Sequence, residues 1–408
     1  MRGRKQPRPW LKKGDGMTFS GRHIATPSQR VRLGMVGGGE GAFIGAVHRL
    51  AARMDDHYVF LAGALAGSAE RSLASGQVLG LDPDRIYADY QAMARAEAVR
   101  QDGIEAVAIV TPNHLHYPVA RAFIEAGIHV ICDKPLTISS VEAKDLARLV
   151  EEKRVVFAVT YNYSGYPMVR QARQMVAAGE VGDIRVVQVE YAQGWLTTEL
   201  EKSGHKQADW RADPARAGAG GCIGDIGTHA FHLACFVTGL ALESLSADLT
   251  SFVPGRRLDD NAHVMLRFKG GAKGMLWASQ IAPGNENNLG LRVYGDKGGI
   301  EWRQEDPNYL WHTPLGASKR RITRGGEDAG SEANRITRVP PGHPEGYLEG
   351  FANIYTEVAR AIRARRQGRA AEAEVLFPTV KDGAEGVAFV EATVDSSRQN
   401  GAWVRLGR

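Results

Sequence analysis

Asp225 and His229 stand four residues apart in the segment GGCIGDIGTHAFHL. That spacing puts both side chains on one face of a helix. An aspartate beside a histidine holds the imidazole in one tautomer and raises its basicity, so the pair could take a proton from a hydroxyl. His232, three residues further on, is a candidate substrate contact or a packed side chain. Lys134 follows a short apolar run in CDKP, where Pro135 fixes the turn that aims it. An ammonium there could stabilise a developing alkoxide, although a surface lysine before a turn is the bland alternative. Pro112, Asn113, His114 and His116 follow another apolar run. A metal held by His229 and His232 with His114 or His116 is a competing chemistry, weakened because no further ligand is suitably spaced.

A glycine segment supplies the second chemical feature. VRLGMV runs into GGGEGAFIG, which offers Gly37-x-Gly39, with the third place falling to Ala42 or, after an insertion, to Gly45. Glycines are required where a backbone turns tightly against a pyrophosphate and a helix N-terminus faces the anion. The segment lies between an apolar run and a helical pattern, which is the context a dinucleotide site demands. NAD sites usually carry an acid at the end of the second strand. Leu65, Ala66, Gly67 and Ser68 offer none, and Ser68 with Arg71 could instead embrace a 2′-phosphate, or be an N-cap and a solvated charge. The expected cofactor is NAD or NADP, with Pro112, Asn113, His116, Asp133 and Lys134 as further contacts.

The elements that must position these residues follow from periodicity. Buried strands are expected at VRLGMV, YVFLAGALAG, IEAVAIVTP, HVICDKP and VVFAVTYN, with helices between them at AVHRLAARM, SAERSLASGQVLG, HYPVARAFIEAG and SSVEAKDLARLVEEK. Strands alternating with helices predict a doubly wound parallel sheet over 31–160, whose carboxyl edge collects Gly37, Asn113 and Lys134. Beyond residue 161 a helix leads into IRVVQVEYAQGW, ESLSADLTSFV, NAHVMLRFKGG, AKGMLWASQI and LGLRVYGDKGGIEWRQ. Glycine-containing turns between them predict an α+β unit over 161–408 with a large, mostly antiparallel open sheet. Residues 319–343 read as a long loop. Helices near 345–366 and 379–398 and a last strand, AWVRL, complete it, with the helices packing back across the first sheet.

The chain has 408 residues and a formal net charge of +5. Residues 1–30 carry eight basic residues against one acid, Asp15, a net of +7, so the remainder sums to −2. Basicity therefore belongs to the tail, read as a disordered extension or an over-long start preceding Met17, and no nucleic-acid partner is expected. No apolar run reaches the roughly 18 residues that span a bilayer, and no secretory h-region is present. Cys132, Cys222 and Cys235, at no metal-ligand spacing, fit a reducing, cytoplasmic setting.

Several long segments, in order, resemble the Gfo/Idh/MocA oxidoreductases, which include glucose–fructose oxidoreductase and inositol dehydrogenases. They are VRLGMVGGG…GAVHR, AIVTPNHLHYPVARAFIEAGIHVICDKPL, GGCIGDIGTHAFHL and LRVYGDKGGIEW. The resemblance implies hydride transfer between nicotinamide and a ring carbon of a sugar, anhydrosugar or inositol. It assigns catalysis to Lys134, Asp225 and His229, and places Asp133 where the family usually has glutamate. It implies substrate contacts at Tyr163, Tyr166 and Arg170, puts Trp210 and Arg211 in a loop that could reach the cofactor, and makes the open sheet a homodimer or homotetramer interface. His232 stands where the family often has aspartate. Two readings compete: an NAD-dependent glycosidase without net redox change, and a non-catalytic cofactor-binding regulator, against which the intact Lys134, Asp225 and His229 count.

Overall fold

In the computed structural model, residues 26–204 and 206–406 are described. Five strands, β1 (Val31–Gly37), β2 (Tyr58–Ala64), β3 (Ala106–Val110), β4 (His129–Cys132) and β5 (Phe157–Val159), form a parallel sheet in the order β2-β1-β3-β4-β5. β3, AVAIV, is buried at every position, which is why it reads as an unbroken apolar run. The helices between the strands are α1 (Phe43–Met54), α2 (Ala69–Val78), α3 (Tyr90–Val99), α4 (His116–Glu125) and α5 (Ser140–Lys153). The strand order reverses between β1 and β3, and the crevice at their carboxyl ends is where doubly wound sheets bind ligands.

The chain continues through α6 (Pro167–Ala177), β6 (Ile184–Ala192), and two short helices, α7 (Lys206–Arg211) and α8 (Pro214–Ala217). A π-helical turn, Ile223–Gly227, runs directly into α9 (Thr228–Thr238). Then come β7 (Leu242–Thr250), β8 (Asn261–Phe268), β9 (Lys273–Ser279), β10 (Asn288–Gly295), β11 (Gly298–Arg303), β12 (Tyr309–Pro314) and β13 (Arg320–Thr323). α10 (Ser331–Ile336), α11 (Tyr347–Arg366), α12 (Val380–Arg398) and β14 (Val404–Arg405) follow. β6 to β14 build a nine-stranded sheet, order β13-β12-β11-β10-β6-β9-β8-β7-β14, antiparallel except where β6 pairs β9. Its inner face packs on α6, α9 and α12; its outer face carries Met265, Met275, Val186, Tyr294 and Trp311, all exposed.

The last long helices tie the two sheets together. Phe351, Ile354, Tyr355, Val358 and Ile362 of α11 share one core with Leu33, Met35, Ala108 and Ile131 of the parallel sheet. α12 lies against α5 on one side and β7 on the other. The segment 319–343, expected to be a loop, contains β13 and α10 instead. Buried Arg324 organises it, donating to Asn308 Oδ1 at 2.7 Å, Glu345 Oε1 at 2.9 Å and the Val339 carbonyl at 2.6 Å. Elements of four and six residues show too little periodicity to be read in isolation, and this ion pair with its carbonyls is a tertiary device.

Candidate active site

β1 ends in Gly37 and Gly38, both at positive φ (76° and 70°), and the backbone turns there without a side-chain penalty. A Cβ at Gly45 would lie 2.4 Å from the Cα and the carbonyl oxygen of Gly38, so Gly45 lets the first turn of α1 pack on the strand end. Ala42 is the N-cap of α1 and makes no side-chain cap, so the first turn, which borders the crevice, keeps N–H groups without a side-chain acceptor there. Of the two candidates for the third position, Ala42 lines the crevice, whereas Gly45 lies outside its lining and packs on Gly38.

That crevice is one end of a cavity of about 1230 Å³, which runs from the glycine turn past Thr111 to Lys134, Asp225 and His229. Its size suits a dinucleotide with a small second molecule. Among the described residues, the buried atoms on its wall without a hydrogen-bond partner include Thr111 Oγ1 and Asn162 Nδ2. Unmatched buried donors and acceptors are costly, so these atoms fit a polar cofactor lying between the sheet's edge and the second half of the chain. Arg71 lines the cavity at the glycine-turn end, where Leu65, Ala66 and Gly67 supply no carboxylate. Ser68 does not line the cavity: its hydroxyl caps α2, accepting from the Arg71 N–H at 3.4 Å.

Lys134 Nζ donates to Asp225 Oδ1 at 2.8 Å and also to the Asp225 carbonyl. The other carboxylate oxygen accepts from Arg211 Nε at 3.1 Å and Gln280 Nε2 at 2.9 Å. Burial pushes this carboxyl up, but Arg211, Lys134 and Gln280 together outweigh it and hold it below the usual carboxylate range. Here the structure corrects the expected pairing. The Asp225 carboxylate is occupied by Lys134, Arg211 and Gln280, and the described hydrogen bonds include none to His229. The cause is the π-helical turn, which places Asp225 off the regular α-helical ladder that the four-residue spacing assumed. His229 is buried against the cavity, and its Nδ1 has no hydrogen-bond partner among the described residues. Burial and then the Lys134 charge hold its imidazole well below 6.5, against the opposing pull of Asp225.

Asp133 lines the cavity beside Lys134, and its carboxylate accepts from His48 Nε2 at 3.0 Å and Thr160 Oγ1 at 2.6 Å. Burial raises this acid; His48 and Thr160 overcome that and bring it to about 2. Pro112 and Asn113 also line the cavity, Asn113 donating to the Ala217 carbonyl at 2.9 Å and so tying β3's edge to the 206–217 segment. Arg211 stacks over Trp210, 4.2 Å from its ring centroid, and both line the cavity. Tyr163 is there too.

Besides Ser68 and Gly45, four more residues expected at the site lie outside the cavity lining. His116 is a buried strut, its ring nitrogens 2.7 Å from the Pro135 carbonyl and 2.9 Å from that of Thr111. His232 stacks on Tyr161 at 4.2 Å and points Nε2 toward Asp382. Tyr166 packs edge-on against Trp302, and Arg170 is buried with its guanidinium on the Ser164 and Leu376 carbonyls, each at 2.6 Å. Tyr166, Arg170 and His232 sit under the site because α6 and α9 turn those faces inward, and His116 is held at the start of α4. Residues that the sequence reading missed include Tyr191, Gln193, Trp195, Asn287 and Gln304 on the cavity wall. The amide- and aromatic-rich strings YAQGW and GNENN, each at a strand end, were the available signal.

With this geometry in place, comparison with known proteins is direct. The profile of the oxidoreductase family with NAD-binding Rossmann fold, GFO_IDH_MocA, matches residues 31–161, and that of the GFO/IDH/MocA C-terminal domain matches residues 169–301. The uncharacterized oxidoreductase YfiI of Bacillus subtilis (strain 168) is 38% identical over 394 residues, covering 96% of this chain and 100% of YfiI. The chain belongs to the GFO/IDH/MocA oxidoreductase family. Among solved structures of similar proteins, an oxidoreductase from Sinorhizobium meliloti is 57% identical with a TM-score of 0.84, covering 92% of this chain and 99% of that one. An inositol dehydrogenase homolog from Azotobacter vinelandii, complexed with NAD+, is 36% identical with a TM-score of 0.90, covering 96% of this chain and 100% of that one. The family carries an NAD-binding Rossmann domain, which is the role the glycine turn and unmatched wall atoms fit here.

Proposed function

We propose that this oxidoreductase moves a hydride between nicotinamide and a ring carbon bearing a hydroxyl, in a sugar, anhydrosugar or inositol. The observation that carries the reading is the meeting of Lys134, Asp225 and His229 in the cavity whose other end is the glycine turn. The site's charged groups pair with one another, and the remaining wall is amides and aromatic rings (Gln193, Asn287, Gln304, Trp195, Trp210), which suits an uncharged polyol. Nicotinamide, when bound, supplies the carbon that takes or gives the hydride. Lys134 places a cationic donor at the reacting oxygen. His229, uncharged, takes the hydroxyl proton on oxidation and returns it on reduction. Asp225, braced by Arg211 and Gln280, positions the Lys134 ammonium rather than the imidazole. A second copy of the chain would cover the apolar outer face of the nine-stranded sheet, and three free cysteines fit a cytoplasmic setting.

The test is a panel of inositols, aldoses and anhydrosugars with NAD and NADP in parallel, read by absorbance of the reduced nicotinamide. Lys134→Met and His229→Ala should each lower turnover about 10²- to 10⁴-fold while cofactor still binds. Near-normal turnover in both variants overturns the assignment.

A further inference from the structure

On the substrate side of the cavity a set of hydrogen bonds closes on itself. The Tyr191 hydroxyl donates to Asn287 Oδ1 at 2.7 Å, and Asn287 Nδ2 donates to the Tyr163 hydroxyl at 3.3 Å. With its own proton spent on Asn287, Tyr191 accepts from the Tyr163 hydroxyl beside it. The three bonds form a ring running in one sense, an arrangement in which each bond polarises the next. Gln193 Nε2 braces Asn287 Oδ1 at 2.8 Å, and Trp195 Nε1 braces Gln193 Oε1 at 3.0 Å. The donors of the ring are thus used inside it, apart from one Asn287 N–H. Its members come from three separate places: the turn after β5, strand β6, and the loop before β10.

The ring faces His229. Tyr163 meets the imidazole edge-to-face with 5.0 Å between centroids, and Tyr191 stands at 6.3 Å. Tyr161 closes a third side at 5.6 Å. A catalytic histidine usually has a carboxylate or carbonyl to fix its ring, and here Asp225 is committed elsewhere while His229 Nδ1 has no partner among the described residues. We propose that Tyr163, Tyr191 and Asn287 are positioning residues that orient His229 and exclude water from it, in place of the carboxylate partner. The proposal rests on reading His229 as the proton acceptor. The titratable and charged groups around the imidazole are Lys134 and Asp133 beyond β4, Asp225 and His232 on its own helix, Tyr161 and Tyr163 after β5, and Tyr191 on β6, with Arg211 on Asp225.

The experiment compares Asn287→Ala and Tyr191→Phe with the parent chain, with NAD+ as the only ligand in the spectra and a panel polyol added for turnover. ¹⁵N spectra of the histidine rings follow the titration of His229 directly. Opening the ring to water should weaken the desolvation that holds the imidazole neutral, so its titration should move up toward the ordinary value of about 6.5 in Asn287→Ala. Tyr191→Phe keeps the aromatic volume and should move it in the same direction by less. NAD+ affinity should stay within about twofold, and turnover of the best panel polyol should fall about 10²-fold with a smaller change in KM. An unchanged His229 titration, with only the polyol KM raised, overturns the proposal and makes the ring a substrate subsite. The reading of His229 as base fails separately, if His229→Ala keeps its turnover whatever the ring variants do to the spectrum.

Discussion

The Asp225 carboxylate has three donors, and the histidine that its spacing seemed to offer is not one of them. Its part is therefore to seat the Lys134 ammonium, and His229 owes its protonation state to burial first and to the Lys134 charge second. The sign of the pH dependence follows. With His229 as the proposed base, oxidation needs a neutral imidazole, and burial keeps it neutral as pH falls through 6.5. Rates of polyol oxidation at saturating NAD should show no acid limb above that pH. A rate already falling between about pH 8 and 7 would count against His229 as the base. Residue types were legible in the sequence at Lys134, Asp225 and His229. Their pairing was not, because it depends on a π-helical turn and on Arg211 and Gln280 arriving from α7 and the end of β9.

At the scale of elements, the decisive contact is between α1 and the end of β1. Gly45 has no room for a methyl group against Gly38, whereas a Cβ at Gly67 would meet nothing within 4 Å. Gly45→Ala should push α1 outward, cost about 1–3 kcal/mol of stability and weaken NAD+ binding, because the first-turn N–H groups move with the helix. Gly67→Ala should leave stability unchanged, and calorimetric melting separates the two. Strand-turn-helix units of this kind were readable from period and punctuation alone. β12, β13, α3 and α10 were not, since short or weakly periodic segments take their conformation from the surfaces they join, as Arg324 shows.

The whole molecule buries several histidines that the unfolded chain would protonate. Burial brings His129 and His232 to about 4 and lowers His116 and His229. His129 Nδ1 accepts the Val156 N–H at 3.1 Å, a bond that requires the neutral ring. Below an unfolded value of about 6.5 the unfolded state binds these protons first, so stability is retained above that pH and lost as pH falls toward 4. Asp133, held at about 2, adds a further loss once pH passes below 3.8. The melting temperature should be level above neutrality and decline steadily from about pH 6.5 to 4, and a flat profile there contradicts the burial of neutral histidines. On the outer sheet face Met265 and Met275 lie directly opposite one another. If a second copy covers that face, Met265→Lys with Met275→Lys should halve or quarter the mass in light scattering without altering the circular dichroism, because buried like charges oppose association.

What the sequence determined by itself is everything carried by local period and by residue type. That covers the alternating strands and helices of the parallel sheet, the glycine turn that opens α1, the run of antiparallel strands, and the presence of a lysine, an aspartate and a histidine able to handle a proton. The tertiary structure alone decided which of these groups touch. Helix packing turned His232, Arg170 and Tyr166 inward, away from the cavity. Strand β6 and the loop before β10 brought Tyr191 and Asn287 to His229 from positions that share no period with it. Such contacts join residues tens to hundreds of positions apart, and local period carries no information at that range.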